Sequence, residues 1–203
     1  QLKAVFIKIE KKEDVHYKNF LINKFGSEEF IDKSLDKTID SEDGEYVMQV
    51  IREEYLRDST VTIFIIGDHS SENEGTDWLG DKNFFIKREL RASLRNGKGN
   101  TRNGILGVVL PNMYQKIYQG SGVCNVCGKS HDYVNINDST VIREFSANYY
   151  MQPHDKCSWG EEDRYCVLVK WDDFIASPEQ YIEQAFNKRT SKAVEKVRIK
   201  NLR

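Results

Sequence analysis

The chain has 203 residues, 39% of them hydrophobic and 31% charged, with only 3 prolines, a balance that excludes a disordered or fibrous protein and suffices for one sizeable core. A net charge of −2 argues against a general nucleic-acid binder, and no apolar run reaches the roughly 18 to 20 residues that span a bilayer. The first residues enter a strand pattern and not a signal peptide, so the expected location is the cytoplasm, where 4 cysteines serve as thiols or metal ligands sooner than as disulfides.

In chain order, Ala4 to Ile9 is β-branched and apolar and ends in a charged run, as a buried first strand does on leaving its sheet. Tyr17, Phe20, Leu21 and Phe25 recur at helical spacing, and Gly26 suits a left-handed cap. A brief strand at Phe30-Ile31-Asp32 precedes a polar, acidic loop over residues 33–44, and Val47, Val50, Ile51 and Tyr55 restore a helix. Val61 to Gly67 is the strongest strand pattern and is expected at the centre of the sheet. After a polar segment, residues 84–94 form a helix whose Ile86, Leu90 and Leu94 face the core. Residues 104–111 give a fourth strand closed by proline, residues 112–163 read as a long insertion with turns and at most short strands, and Tyr165 to Val169 gives a fifth strand.

Ser177-Pro178-Glu179-Gln180 reads as a capping box that opens a last helix, with Tyr181, Ile182, Ala185 and Phe186 inward. The basic residues 192–203 read as surface or a partly ordered extension. The alternation predicts an α/β fold: a parallel sheet of about five strands, flavodoxin-like, with helices on both faces and a C-terminal elaboration. The expected units are a core over 1–110, an insertion over 111–163, and a last strand and helix over 164–203 that complete the same domain. Ligands in such sheets bind beyond the carboxyl ends of the strands.

Two constellations carry chemistry. Glu89 lies four residues after Phe85 and about 100° round the helix from the apolar stripe, where packed interior is expected to meet an opening; the alternative is a solvated glutamate paired with Lys87, Arg88 or Arg91. Cys124-x2-Cys127 and His154-x2-Cys157 form two chelating pairs separated by 26 residues, a spacing compatible with one tetrahedral zinc that staples the insertion. Reduced structural cysteines are the competing reading, and Cys166, inside a strand pattern, reads as a buried thiol. Asp68-His69-Ser70-Ser71 reads as a loop after a strand, and Gly97-Lys98-Gly99 as a turn and not a phosphate loop.

The run Val5-Phe6-Ile7, then Phe30-Ile31-Asp32 with a long acidic loop, then Thr60-Val61-Thr62-Ile63, then an aromatic residue four positions before Glu89, resembles a Toll/interleukin-1 receptor (TIR) domain. With Val141 to Phe145 and Arg164 to Phe174, the chain is most similar to the TIR-like proteins of bacterial Thoeris anti-phage defence. The resemblance implies cleavage of NAD as substrate, with release of nicotinamide and formation of an ADP-ribose-derived signal. By the same resemblance Glu89 is the catalytic glutamate, Phe85 lines the site, Ile9 and Glu10 end the first strand beside the substrate, and Asp32 to Asp36, with Ser34, begin the loop over it. It further implies self-association through TIR-like surfaces and a link to a Thoeris effector through a small-molecule signal, with no nucleic acid and no membrane as partner. Lys8 and Ile9 stand where the family commonly has serine and an aromatic residue. That departure favours a second reading, a non-catalytic TIR-like binding module or nucleotide-signal receptor, whereas the retained Glu89 favours the enzyme.

Overall fold

The computed structural model describes residues 5–8, 15–26, 30–31, 39, 43–72, 84–97 and 101–199. Five parallel strands form one sheet: β1 (Val5–Lys8), β2 (Phe30–Ile31), β3 (Val61–Ile66), β4 (Gly104–Val109) and, after a hairpin of β5 (Tyr118–Val123) and β6 (Ser130–Val134), β7 (Val167–Lys170). The sheet order is β2-β1-β3-β4-β7, so β3 is central, as its unbroken apolar pattern predicts. All six residues of β3 and of β4 are buried, because helices cover both faces.

Alternation along the strands divides the core. Val61, Ile63 and Ile65 with Leu106, Val108 and Leu110 face α1 (Val15–Phe25), α6 (Trp171–Ala176) and α7 (Pro178–Lys188), where Leu21, Phe174 and Ala185 are buried against them. Phe64, Ile66, Ile105 and Val109 face α3 (Phe84–Leu94) and α5 (Arg143–Tyr149), and Ile86, Leu90 and Leu94 form the predicted stripe. A third cluster joins Ala92 of α3 to Val47, Met48, Ile51 and Leu56, from α2 (Gly44–Val50) and the π-helical turn that extends it over Ile51–Leu56. The short α4 (Tyr114–Ile117) leads into the hairpin.

Gly26 has φ +88° and its N–H bonds to Ile22 O at 2.9 Å, the left-handed cap expected of it. Two expectations are corrected, at Ser177 and in the basic tail. Ser177 is the N-cap of α7 and Pro178 its first residue, but the serine side chain makes no capping bond, so no capping box forms. Within the stretch read as an insertion, Ile136, Val141, Ile142, Phe145, Tyr149 and Met151 belong to the same cluster as the sheet. Over its described residues, 192–199, the basic tail is anchored on the core, with Ala193 2% exposed and Asn148 bonded both to Arg198 O at 2.9 Å and to Arg198 N at 2.8 Å. Among the described residues no helix is long and apolar enough to cross a membrane.

Candidate functional site

The helix that carries Glu89 is positioned from its C-terminal end. Ser93 Oγ lies 2.8 Å from Thr62 Oγ1 on β3, and Asn103 Nδ2 donates to Thr62 Oγ1 at 3.1 Å and to Ser59 Oγ at 2.7 Å. The Asn103 N–H bonds to Ser93 O at 2.8 Å, and Tyr165 OH donates to Asn103 O at 2.7 Å. These buried polar groups are mutually satisfied, as burial requires. Arg52, from the π-helical turn, donates to the carbonyls of Ala92 and Arg95 and, at 3.0 Å, to Thr101 O, so a cation neutralises the carbonyl end of α3. Burial, with Arg95 and Arg102 nearby, brings the Arg52 guanidinium down to about 10.

One helical turn back from Ser93, about 5.4 Å toward the carboxyl end of the sheet, comes Glu89. It is 0% exposed. It shares the Ser93 side of α3, between the stripe packed on the sheet and Ala92 packed on α2, so the expected opening is absent at this side chain and interior surrounds it. The sequence shows the stripe but cannot show the second wall, which α2 contributes from forty residues away. Phe85 lies on α3 one turn before Glu89, while Ile9, Glu10, Asp32 and Ser34 lie outside the described residues.

On the side of α3 away from Glu89, about 200° round the helix, Arg91 meets Glu144 of α5, with Nη2 at 2.6 Å and Nε at 2.7 Å from Oε1, and the Glu144 side chain is 3% exposed. This ion pair fastens α5 to the Glu89 helix, and sequence reading did not find it. The loop after β3 is closed by Ser70, whose Oγ accepts the Gly67 N–H at 2.9 Å, and Asp68 pairs with Lys116 at 2.9 Å, so Asp68 to Ser71 is a loop and not a triad.

The cysteine constellation forms, with one change. Cys124, Cys127, Cys157 and His131 present ligand atoms all within 4.8 Å of one another. Cys127 Sγ is 3.0 Å and Cys157 Sγ 3.4 Å from His131 Nε2. The fourth member is His131 and not His154: the His154 ring stacks on Trp159 with centroids 4.1 Å apart, and its Nε2 lies 3.5 Å from Asp163 Oδ2. Hairpin register decides the matter: His131 pairs with Gly122 and Ser130 with Val123, so His131 is carried beside the turn that holds Cys124 and Cys127. The backbone N–H groups of Cys127 and Val126 hold the Cys124 thiol below its usual range. Cys166 is fully buried in the core, where desolvation pushes its thiol well up. Beside the cluster is an open cleft of about 840 Å3 whose wall includes Tyr133, Tyr150, Trp159 and Arg164.

No solved structure matches the chain. The family described as Thoeris protein ThsB, TIR-like domain, matches residues 6–114, from β1 through β4 into α4. That stretch includes the five-strand sheet's first four members and the buried Glu89, and it is more than half of the sequence, so the chain belongs to the TIR-like family of Thoeris ThsB proteins, a defence-related TIR module.

Proposed function

We propose that the chain cleaves NAD through Glu89 and yields an ADP-ribose-derived signalling nucleotide, which a Thoeris effector would bind in defence against phage. The observation that carries the reading is the position of Glu89: a carboxylate on the helix after the central strand, one turn toward the end of the sheet at which such folds take ligands. The position is the one where the family resemblance expects the catalytic glutamate.

The chemistry asks little else of the protein. Nicotinamide in NAD is a cationic pyridinium and departs neutral, so no general acid is required. A single carboxylate can hold ribose hydroxyls and stabilise the positive charge that develops on the sugar, half of the two-carboxylate arrangement of glycosidases. In a water-poor setting that stabilisation is stronger than at a surface.

The test compares the protein with Glu89→Gln, which keeps size while removing charge, in infected and uninfected cells, following NAD loss and new ADP-ribose species by mass spectrometry. Product from the parent and at least a hundredfold less from a folded variant is expected. Defended cells that form no product with either protein would overturn the enzyme reading. The second reading, a binding or receptor module without turnover, is favoured by the complete burial of Glu89; a folded Glu89→Gln that still protects cells supports it.

A further inference from the structure

We propose that Cys124, Cys127, His131 and Cys157 bind one structural zinc ion, and that this ion, in place of a hydrophobic core, holds the far end of the β5–β6 hairpin to the loop ahead of β7. Four soft or borderline donors converge, three thiols and an imidazole, the donor set of a closed structural zinc site. A tetrahedral ion with zinc–sulfur bonds of about 2.3 Å and zinc–nitrogen bonds of about 2.0 Å has ligand–ligand edges of roughly 3.5 to 3.8 Å. The four ligand atoms, all within 4.8 Å of each other, need only small side-chain adjustments to meet it.

The turn between the first two cysteines is built as a metal-binding knuckle. The Val126 N–H points at Cys124 Sγ at 3.4 Å, the Gly128 N–H bonds to Cys124 O at 2.8 Å, and the Cys124 N–H bonds to Lys129 O at 2.8 Å. Gly128 has φ +69°, a conformation that a residue with a Cβ rarely adopts. Backbone donors aimed at a sulfur stabilise thiolate, the form that ligates metal.

The far end of the hairpin has little else to hold it. No residue of β5 or β6 is buried: Tyr118 and Val134, at its base, pack on the core cluster, whereas Val123, Val126 and Tyr133, toward its turn, are exposed large hydrophobics. Two-stranded hairpins without a packed face are marginal in water, and structural zinc supplies folding free energy where apolar burial cannot. Cys157 comes from the loop that also carries Trp159, so the ion fixes two walls of the neighbouring cleft relative to each other. This site is independent of the NAD reading and of Glu89.

The full chain, produced with zinc in the medium and purified under reducing conditions without chelator, is expected to carry about one zinc per chain by elemental mass spectrometry. Chelated protein titrated with cobalt should develop thiolate charge-transfer and tetrahedral ligand-field bands. His131→Ala should lose at least about tenfold in zinc affinity, His131→Cys should retain the metal, and His154→Ala should keep it at the parent's level. Each variant is checked for an intact core by the resistance of buried Cys166 to alkylation. The proposal is overturned by parent protein that holds less than a tenth of an equivalent and gives no cobalt spectrum, by a disulfide among the three cysteines under those conditions, or by metal lost in His154→Ala and kept in a folded His131→Ala.

Discussion

Gly104 shows how a single missing atom sets the distance between layers. A Cβ at this first residue of β4 would lie 2.0 Å from Ala185 O, in the backbone of α7. The helix therefore rests directly on the strand, and no side-chain rearrangement can relieve an added methyl. Gly104→Ala is expected to destabilise the protein by about 2 kcal/mol or more, read as a lower urea midpoint with an unchanged slope. A control is Gly97→Ala, where the nearest atom is Arg52 Nε at 4.0 Å, so that variant should stay within about 0.5 kcal/mol of the parent. Residue types alone also misled at one position. His154 precedes Cys157 at chelating spacing, but the pairing of β5 with β6, which sequence spacing does not encode, brings His131 to the cysteines instead.

Among the elements, α3 was legible and α5 was not, and the reason is chemical. Ile86, Leu90 and Leu94 recur at helical spacing and are all buried, so periodicity alone placed their helix. On α5 two of the four buried residues are Glu144 and Asn148, which read as surface polarity until their distant partners Arg91 and Arg198 are known. The Arg91–Glu144 pair gives an element-scale prediction. Arg91→Met removes the cation and strands a carboxylate in the interior, at an expected cost of about 3 kcal/mol or more. Adding Glu144→Leu should recover most of that loss, since two apolar side chains of similar volume replace the pair. A double-mutant cycle measured by urea denaturation gives the coupling, and equal effects of the single and double variants would show that the two helices are held by other contacts.

For the molecule as a whole, the parallel sheet, its central strand and the helix layers followed from alternation of apolar runs, whereas the closing of the core by the C-terminal tail did not. Residues 192–203 are rich in lysine and arginine, and that composition concealed Ala193, Val194 and Val197, which pack on the cluster around Phe145 and Tyr149. Truncation after Ser191 is therefore expected to lower the melting temperature by several degrees and to expose apolar surface that binds a hydrophobic dye, even though half of the removed residues are charged. Unchanged melting would mean that the tail covers a surface stable without it. The remaining part of the candidate site, at Ile9, Glu10, Asp32 and Ser34, rested on resemblance from the outset, since nothing in the periodicity of those short runs assigns a role to them.

The bonds that set the height of Glu89 along the sheet, through Ser93, Thr62, Asn103 and Arg52, are all made at the end of α3 away from where such folds receive ligands. In the proposed enzyme, anchorage and admission thereby fall at opposite ends of one helix. A lineage under pressure from changing phages can rewrite the loops at the receiving end, in length and in charge, while the register of the carboxylate is inherited unaltered from groups that never meet what is admitted.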